Sequence, residues 1–207
     1  MAKVRILNKY FVNGFLAIIN PVGKLLEKLR VRPNLVTLAG LVFSIFSGYL
    51  FWKGLFGLAG WALILSGACD VLDGRLARNT SQISPFGALF DSTIDRYSEI
   101  AVFMGLAAFF NSIYITLLII MAICGSLLTS YVRARAEGLD IECKIGLMQR
   151  PERITFIATA AILGGLVDSA IGKENFVMKL ALFLIALLSN VTVIQRVIHV
   201  RNKLTSQ

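Results

Sequence analysis

Long apolar stretches alternate with short polar links over most of the chain. Each stretch is close to the roughly 20 apolar residues that cross a bilayer as a helix. The pattern predicts an all-α integral membrane protein with six transmembrane helices. The expected spans are 34–53, 56–78, 85–109, 112–136, 151–170 and 175–197.

The first part of the chain has a different pattern, in which apolar residues recur at helical spacing between polar positions. These residues are Val4, Leu7, Phe11, Phe15 and Ile18. Such a pattern is typical of an amphipathic helix at the membrane surface. Asn20, Pro21 and Gly23 are expected to break this helix. We therefore predict a basic, amphipathic juxtamembrane segment at 1–32 and a six-helix transmembrane domain at 33–207.

Composition supports the membrane prediction, because 57% of the residues are hydrophobic and only 16% are charged. Ordinary globular chains are about a quarter charged. The formal net charge of +9 fits contact with anionic membrane lipids better than nucleic acid. No basic stretch carries the interleaved aromatic residues of a nucleic-acid site, so no nucleic-acid partner is expected.

The basic residues are concentrated in links on one side of the predicted helices. Residues 1–32 hold seven of them, and the region around 133–153 holds five more. The opposite links hold only Lys53, Lys173 and Lys179. Because basic loops stay inside, we expect both termini and the polar helix ends at 70–95 to face the cytoplasm, in a multi-pass protein of the cell (plasma) membrane.

Four of the six aspartates fall within 26 residues, at the ends of two apolar helices: Asp70, Asp73, Asp91 and Asp95. Asp70 and Asp73 share one helical face, and Asp91 and Asp95 share another. A helical hairpin would bring these two faces together. Acids inside a membrane usually face a cavity and have a partner.

Converging carboxylates repel one another unless a cation neutralises them. Mg²⁺ or Mn²⁺ would suit them, because hard ions prefer oxygen ligands, and four carboxylates can hold two ions. Two alternatives are a charge network with Arg75, Arg78 and Arg96, and an ion or proton pathway through a divalent-cation transporter. An aspartate-rich membrane prenyltransferase would need a second acidic cluster, which the sequence lacks.

The spacing of these residues resembles a family signature. It reads Asp70-x-x-Asp73-Gly74-x-x-Ala77-Arg78, then eight residues, then Gly87-x-x-x-Asp91-x-x-x-Asp95. This is similar to the signature of the CDP-alcohol phosphotransferases, and the family's layout covers nearly the whole chain. The sequence matches each fixed position of this signature. The resemblance implies metal-dependent transfer from a CDP-linked lipid, and it also implies a homodimer.

The resemblance also implies roles for individual residues. Asp70, Asp73, Asp91 and Asp95 would hold the metals, and Asp95 would also be the catalytic base. The residues along the CDP moiety would be Asn34, Thr37, Asp73, Gly74, Ala77 and Arg78. For Asn34 and Thr37, the chemistry of a helix start is an alternative explanation.

The acceptor alcohol depends on a second set of residues, near the fourth and fifth spans. Guanidinium groups bind phosphate through paired hydrogen bonds, so arginines here suit an acceptor that carries a phosphate. The segments resemble the phosphatidylinositol-phosphate synthase branch, although that branch usually has Lys where Arg133 stands. The resemblance implies that inositol phosphate is bound by Ser130, Arg133, Arg135, Arg153 and Arg196.

The predicted reaction is transfer of a phosphatidyl group from CDP-diacylglycerol to inositol phosphate, with release of CMP. Glycerol phosphate, inositol, serine and choline-type alcohols stay open as acceptors, as does an ether-linked lipid donor. Each arginine could instead be an ordinary positive-inside residue.

Overall fold

The structure is a computed structural model that describes residues 9–205, with the backbone alone for residues 9–13. Throughout these residues the ordered elements are α-helices, which confirms the all-α prediction. Val4 and Leu7 lie outside the described residues. The helices are α1 (Lys9–Lys28), α2 (Pro33–Trp52), α3 (Phe56–Asn79), α4 (Pro85–Phe110), α5 (Ile113–Glu137), α6 (Arg150–Ile171) and α7 (Phe176–Leu204).

Five helices, α2, α3, α5, α6 and α7, are long and apolar enough to cross a membrane. These multiple spans make the chain a multi-pass membrane protein. The sixth predicted span is α4, whose 26 residues are long enough for a crossing. It falls outside the apolar group because it carries Asp91, Asp95, Arg96 and Glu99.

The chain divides into two compact units, and the division falls between α4 and α5. One unit, residues 7–109, contains α1 to α4, and the other contains residues 110–207 with α5 to α7. The domain boundary expected at 32/33 is a different division and stays a prediction. The two units are described separately below.

In the first unit, α1 packs against α3 through an apolar cluster. Ile19 of α1 is buried with Leu72 and Leu76 of α3. The helix continues through Pro21, so the expected break there is wrong. Proline removes one backbone hydrogen bond, but contacts with α3 on both sides of it stabilise the helix. Gly23 lies at this contact, since a Cβ there would be 3.3 Å from Leu72 Cδ2.

Small residues bring α2 close to both α3 and α4. Buried Ser44 and Ser66 join α2 to α3 through a 2.7 Å hydrogen bond between their hydroxyls. Gly48 of α2 meets Gly105 of α4 backbone to backbone, with no room for a Cβ at either position. Close approach of this kind is typical of membrane helix pairs with small residues at the interface.

In the second unit, α7 packs against both α5 and α6. Gly125 allows α5 to approach α7, because a Cβ there would lie 2.9 Å from Ser189 Cβ. The link at 138–149 folds back on the helices instead of extending from them. Ile141 and Cys143 of this link are buried against Ala136. We call residues 138–149 the cover loop.

Candidate active site

The turn between α3 and α4 places the two halves of the aspartate motif. Ser84 caps α4, because its hydroxyl accepts a 3.0 Å hydrogen bond from the Gly87 backbone N–H. Pro85 then occupies the first turn, where its missing N–H has no helical partner to lose. Leu76 and Ala77 carbonyls close the end of α3. The short, capped turn therefore fixes the hairpin that the sequence predicted.

Asp70, Asp91 and Asp95 come together, and we call them the carboxylate cluster. Each offers one oxygen, and these three oxygens lie within 4.8 Å of one another. All three residues are half-buried. Carboxylate oxygens at this spacing are suitable ligands for a divalent cation. The arrangement joins one aspartate of α3 to two of α4, and these are three of the four aspartates that were predicted to converge.

Asp73 has a different environment from the carboxylate cluster. It is only 4% exposed, and its Oδ2 accepts a 2.6 Å hydrogen bond from the Thr37 hydroxyl. Thr37 also contacts the Pro33 carbonyl at 3.3 Å, which holds its hydroxyl at the start of α2. The hydrogen bond from Thr37 fixes one oxygen of Asp73. Thr37, predicted to contact the donor, thus contacts Asp73 in the structure.

The other predicted donor residues lie beside these aspartates. A Cβ on Gly87 would be 3.8 Å from Asn34 Oδ1, so the start of α2 reaches the start of α4. Gly74 leaves its surface open next to Arg78, whose Nη1 would lie 3.4 Å from a Cβ there. Ala77 belongs to the same last two turns of α3. The structure thus places all six predicted donor residues in the first unit.

Two polar contacts from α1 support the back of α3, and the sequence did not reveal them. Arg75 Nη2 donates a 2.8 Å hydrogen bond to Asn20 Oδ1. Asn79 Nδ2 donates a 2.6 Å hydrogen bond to Glu27 Oε1. Arg75 therefore binds α1, which argues against its predicted alternative role in a charge network with the aspartates. Such contacts between distant residues leave no short-range pattern.

The second unit contains an arginine cluster, which we define as Arg133, Arg153 and Arg196. Arg153 and Arg196 are 2% and 3% exposed. Arg196 donates to the Thr129 carbonyl at 2.6 Å through Nη1 and to the Ile145 carbonyl at 2.8 Å through Nε. Among the described residues it forms no ion pair. Buried guanidinium groups held this way form a site suited to an anion.

The cover loop is attached to α6 and α7 around this cluster. Met148 accepts a hydrogen bond from Arg153 Nη1 at 3.4 Å, and its N–H donates to Thr192 Oγ1 at 3.0 Å. Gly146 has a φ of 123°, and a Cβ there would run into the Thr192 side chain. Only glycine fits this position easily. The sequence analysis missed the loop, because its role depends on backbone carbonyls.

The remaining predicted acceptor residues lie at the end of α5. Arg133 Nε forms a 2.9 Å ion pair with Glu137 Oε1. Arg135 is exposed and Ser130 is half-buried. Arg133 and Arg153 both repel the charge of Arg196, so three of the four predicted arginines act on one another.

Comparison with known proteins decides the family. Residues 30–198 match the family model of the CDP-alcohol phosphatidyltransferases. The chain belongs to this family. A CDP-alcohol phosphatidyltransferase is a transferase, so the aspartates of this one serve an enzyme and not a cation transporter. The family resemblance expected from the sequence is thereby confirmed.

Curated relatives of this phosphatidyltransferase cover nearly its whole length. A phosphatidylinositol phosphate synthase of Cutibacterium acnes is 32% identical over 93% of this chain and 97% of its own. An archaetidylinositol phosphate synthase of Pyrococcus horikoshii is 34% identical over 88% of this chain and 90% of its own. The similarity therefore extends to relatives named for two kinds of lipid.

Solved structures have the same fold. A phosphatidylinositol phosphate synthase of Mycobacterium tuberculosis with bound CDP-DAG is 28% identical, with a TM-score of 0.76 over 89% of this chain and 94% of that one. The same enzyme in complex with manganese and citrate has a TM-score of 0.75 over 87% of each chain. The carboxylate cluster and the manganese complex together support a divalent-cation site in this phosphatidyltransferase.

Proposed function

We propose that this phosphatidyltransferase moves a phosphatidyl group from CDP-diacylglycerol to inositol phosphate and releases CMP. The observation that carries the proposal is the convergence of Asp70, Asp91 and Asp95 within 4.8 Å. The arginine cluster of the same chain, in which Arg153 and Arg196 are buried, would supply a binding site for a phosphate group. Relatives named as inositol phosphate synthases support the choice of acceptor.

The donor would be bound by residues of the first unit. Asn34, Gly74 and Ala77 would contact the CDP moiety, and Arg78 would bind its pyrophosphate. Thr37 would act through Asp73, whose carboxylate it orients. Charge stabilisation and positioning of this kind supply most of the acceleration in phosphoryl transfer.

The metals would be Mg²⁺ or Mn²⁺, two ions held by Asp70, Asp73, Asp91 and Asp95. The oxygen spacing of Asp70, Asp91 and Asp95 supports their part in this donor set. Bound divalent ions would neutralise charge on the phosphates and acidify the acceptor hydroxyl. Asp73, fixed by Thr37, would keep its second oxygen for the site.

Asp95 would be the catalytic base. Its carboxylate would take the proton of the acceptor hydroxyl as that oxygen attacks the phosphorus carrying the diacylglycerol. The bond from this phosphorus to the CMP oxygen breaks, and CMP leaves with its charge facing Arg78. A positioned carboxylate of this kind contributes about 10²–10⁴-fold.

The acceptor phosphate would be bound by Arg133, Arg153 and Arg196, with Ser130 and Arg135 as further contacts. Arg196 is held by two carbonyls, so its guanidinium is oriented before the acceptor arrives. Such preorganisation reduces the entropy lost on binding. An acceptor without a phosphate would not bring negative charge to these arginines.

Three further features belong to the proposal. The enzyme would act as a homodimer in the plasma membrane, with both termini and the active site on the cytoplasmic side. The basic links on that side support this orientation. The donor tails are proposed to be ester-linked, although archaetidylinositol phosphate synthases are similarly close relatives.

The test is CMP release by the purified protein with Mg²⁺ and either CDP-diacylglycerol or its ether-linked counterpart. The acceptors would be inositol phosphate, inositol, glycerol phosphate and serine. We expect the highest kcat/KM with inositol phosphate, and no release after divalent ions are removed with a chelator. Equal or higher kcat/KM with glycerol phosphate would overturn the acceptor assignment. Release with no acceptor dependence would overturn the transfer reaction itself.

A further inference from the structure

Glu137, at the last turn of α5, lies beside the arginine cluster and has no role in the proposed reaction. Its Oε1 pairs with Arg133 Nε at 2.9 Å, and the two side chains are 48% and 43% exposed. The contact uses the Nε edge of the guanidinium. The terminal nitrogens of Arg133, which form the fork that binds phosphate, are not those that contact Glu137.

The charge of Glu137 extends beyond its own helix. It attracts Arg196 of α7, whereas Arg133 and Arg153 repel Arg196. It also affects Cys143 of the cover loop: burial raises the pKa of this thiol, Arg196 and Arg133 lower it, and Glu137 raises it. The Glu137 charge therefore acts on α7 and on the cover loop as well as on its own helix.

The buried charge of Arg196 is repelled by Arg133 and Arg153, so a nearby counter-charge stabilises it. Arg196 is 3% exposed, and within the described residues its hydrogen bonds go to two carbonyls, which carry no net charge. Glu137 is the acid whose attraction to Arg196 opposes the repulsion by the other arginines. A phosphate entering the cluster would bring negative charge to the same place, and like charges repel.

We propose that Glu137 is the resident counter-anion of the arginine cluster, and that its charge weakens the binding of the acceptor phosphate. It is a specificity-determining residue: it stabilises the empty cluster and limits the binding of other small phosphates. The role of Glu137 rests on the proposed function only for the identity of the acceptor. The binding of a phosphate group to the arginine cluster is tested without turnover.

The experiment compares Glu137→Gln with Glu142→Gln. Glutamine keeps an oxygen that accepts the Arg133 hydrogen bond but removes the charge. Glu142 is the matched control, because it is an exposed acid paired with Lys144 at 3.1 Å in the cover loop. The first measurement is KM for inositol phosphate. The second is the concentration of inorganic phosphate that half-saturates thermal stabilisation of the detergent-solubilised protein, which requires no turnover.

For Glu137→Gln we expect both values to fall by about two- to fivefold, the range of a partly exposed charge interaction. Glu142→Gln should leave both close to wild type. The difference should shrink at high salt, where exposed charges are screened. Wild-type protein that is stabilised by phosphate but releases no CMP with inositol phosphate would refute the proposed reaction and leave this inference standing.

Two results would overturn the inference. If Glu137→Gln weakens phosphate binding, the residue mainly positions Arg133. If Glu137→Gln and Glu142→Gln have equal effects, the charge acts on the whole surface and not on the cluster.

Discussion

The carboxylate cluster and the arginine cluster are assembled in different ways. The aspartates come from two helices joined by a short capped turn, and their spacing along the chain already places them on facing sides. The arginines come from three helices, and carbonyls of residues distant in sequence hold Arg196 in place. Local spacing reveals the aspartate site in the sequence, whereas the arginines were indicated by a family resemblance and the backbone groups that hold Arg196 were not predicted.

The largest expected effect is on the carboxylate cluster. Asp95→Asn should lower kcat for CMP release by about 10²–10⁴-fold, because the amide cannot take the proton. Mn²⁺ binding, measured by electron paramagnetic resonance, should be largely kept. Asp140→Asn is the control, because Asp140 is exposed and its φ of 57° suits asparagine. Unchanged turnover in Asp95→Asn would remove the residue from its role as base.

A smaller effect is expected in the arginine cluster. Arg153→Ala should raise KM for inositol phosphate by about ten- to hundredfold, the range of one hydrogen bond to a charged group. KM for CDP-diacylglycerol should stay near wild type. Lys144→Ala removes an exposed cation of the cover loop and serves as the control. If Arg153→Ala weakens every acceptor equally, including those without phosphate, the phosphate assignment fails.

Removing the hydrogen bond between Thr37 and Asp73 tests whether activity depends on a residue outside the aspartate motif. Thr37→Val keeps the side-chain shape but removes the donor, and should lower kcat/KM by about three- to tenfold. Thr37→Ser keeps the hydroxyl and should restore most of the activity. A larger loss in Thr37→Ser than in Thr37→Val would show that packing of the methyl group matters instead.

The smallest effect is expected at the support from α1. Asn20→Ala removes the acceptor of the 2.8 Å bond from Arg75 and should cost about 1 kcal/mol of stability. This corresponds to a decrease in Tm of about 2–4 °C, measured by thermal unfolding in detergent. Asn202→Ala, at an exposed site of α7, provides the control. A Tm equal to that of the control would remove this contact from the support of α3.

Hydropathy predicted the helices well, because the apolar stretches and their polar links determine where membrane helices end. The prediction failed at Pro21, where packing on α3 outweighs the lost hydrogen bond. The family resemblance predicted that Thr37 contacts the donor but gave no sign of its contact with Asp73, since the two lie 36 residues apart. The cover loop and Glu137 were missed for a related reason: their roles depend on tertiary contacts that carry no short-range spacing.

The charges of α4 have a consequence for how the protein is made. Asp91, Asp95, Arg96 and Glu99 raise the cost of inserting α4 on its own, since a charged residue costs up to about 2.5–3.5 kcal/mol when it reaches the centre of an inserted helix. The translocon would therefore insert an isolated α4 into the bilayer with low efficiency. Its glycine contact with α2, at Gly48 and Gly105, gives the nascent helix a partner during synthesis. Bulky residues at these two glycines would then reduce the yield of membrane-inserted protein before they affect the activity of the molecules that mature.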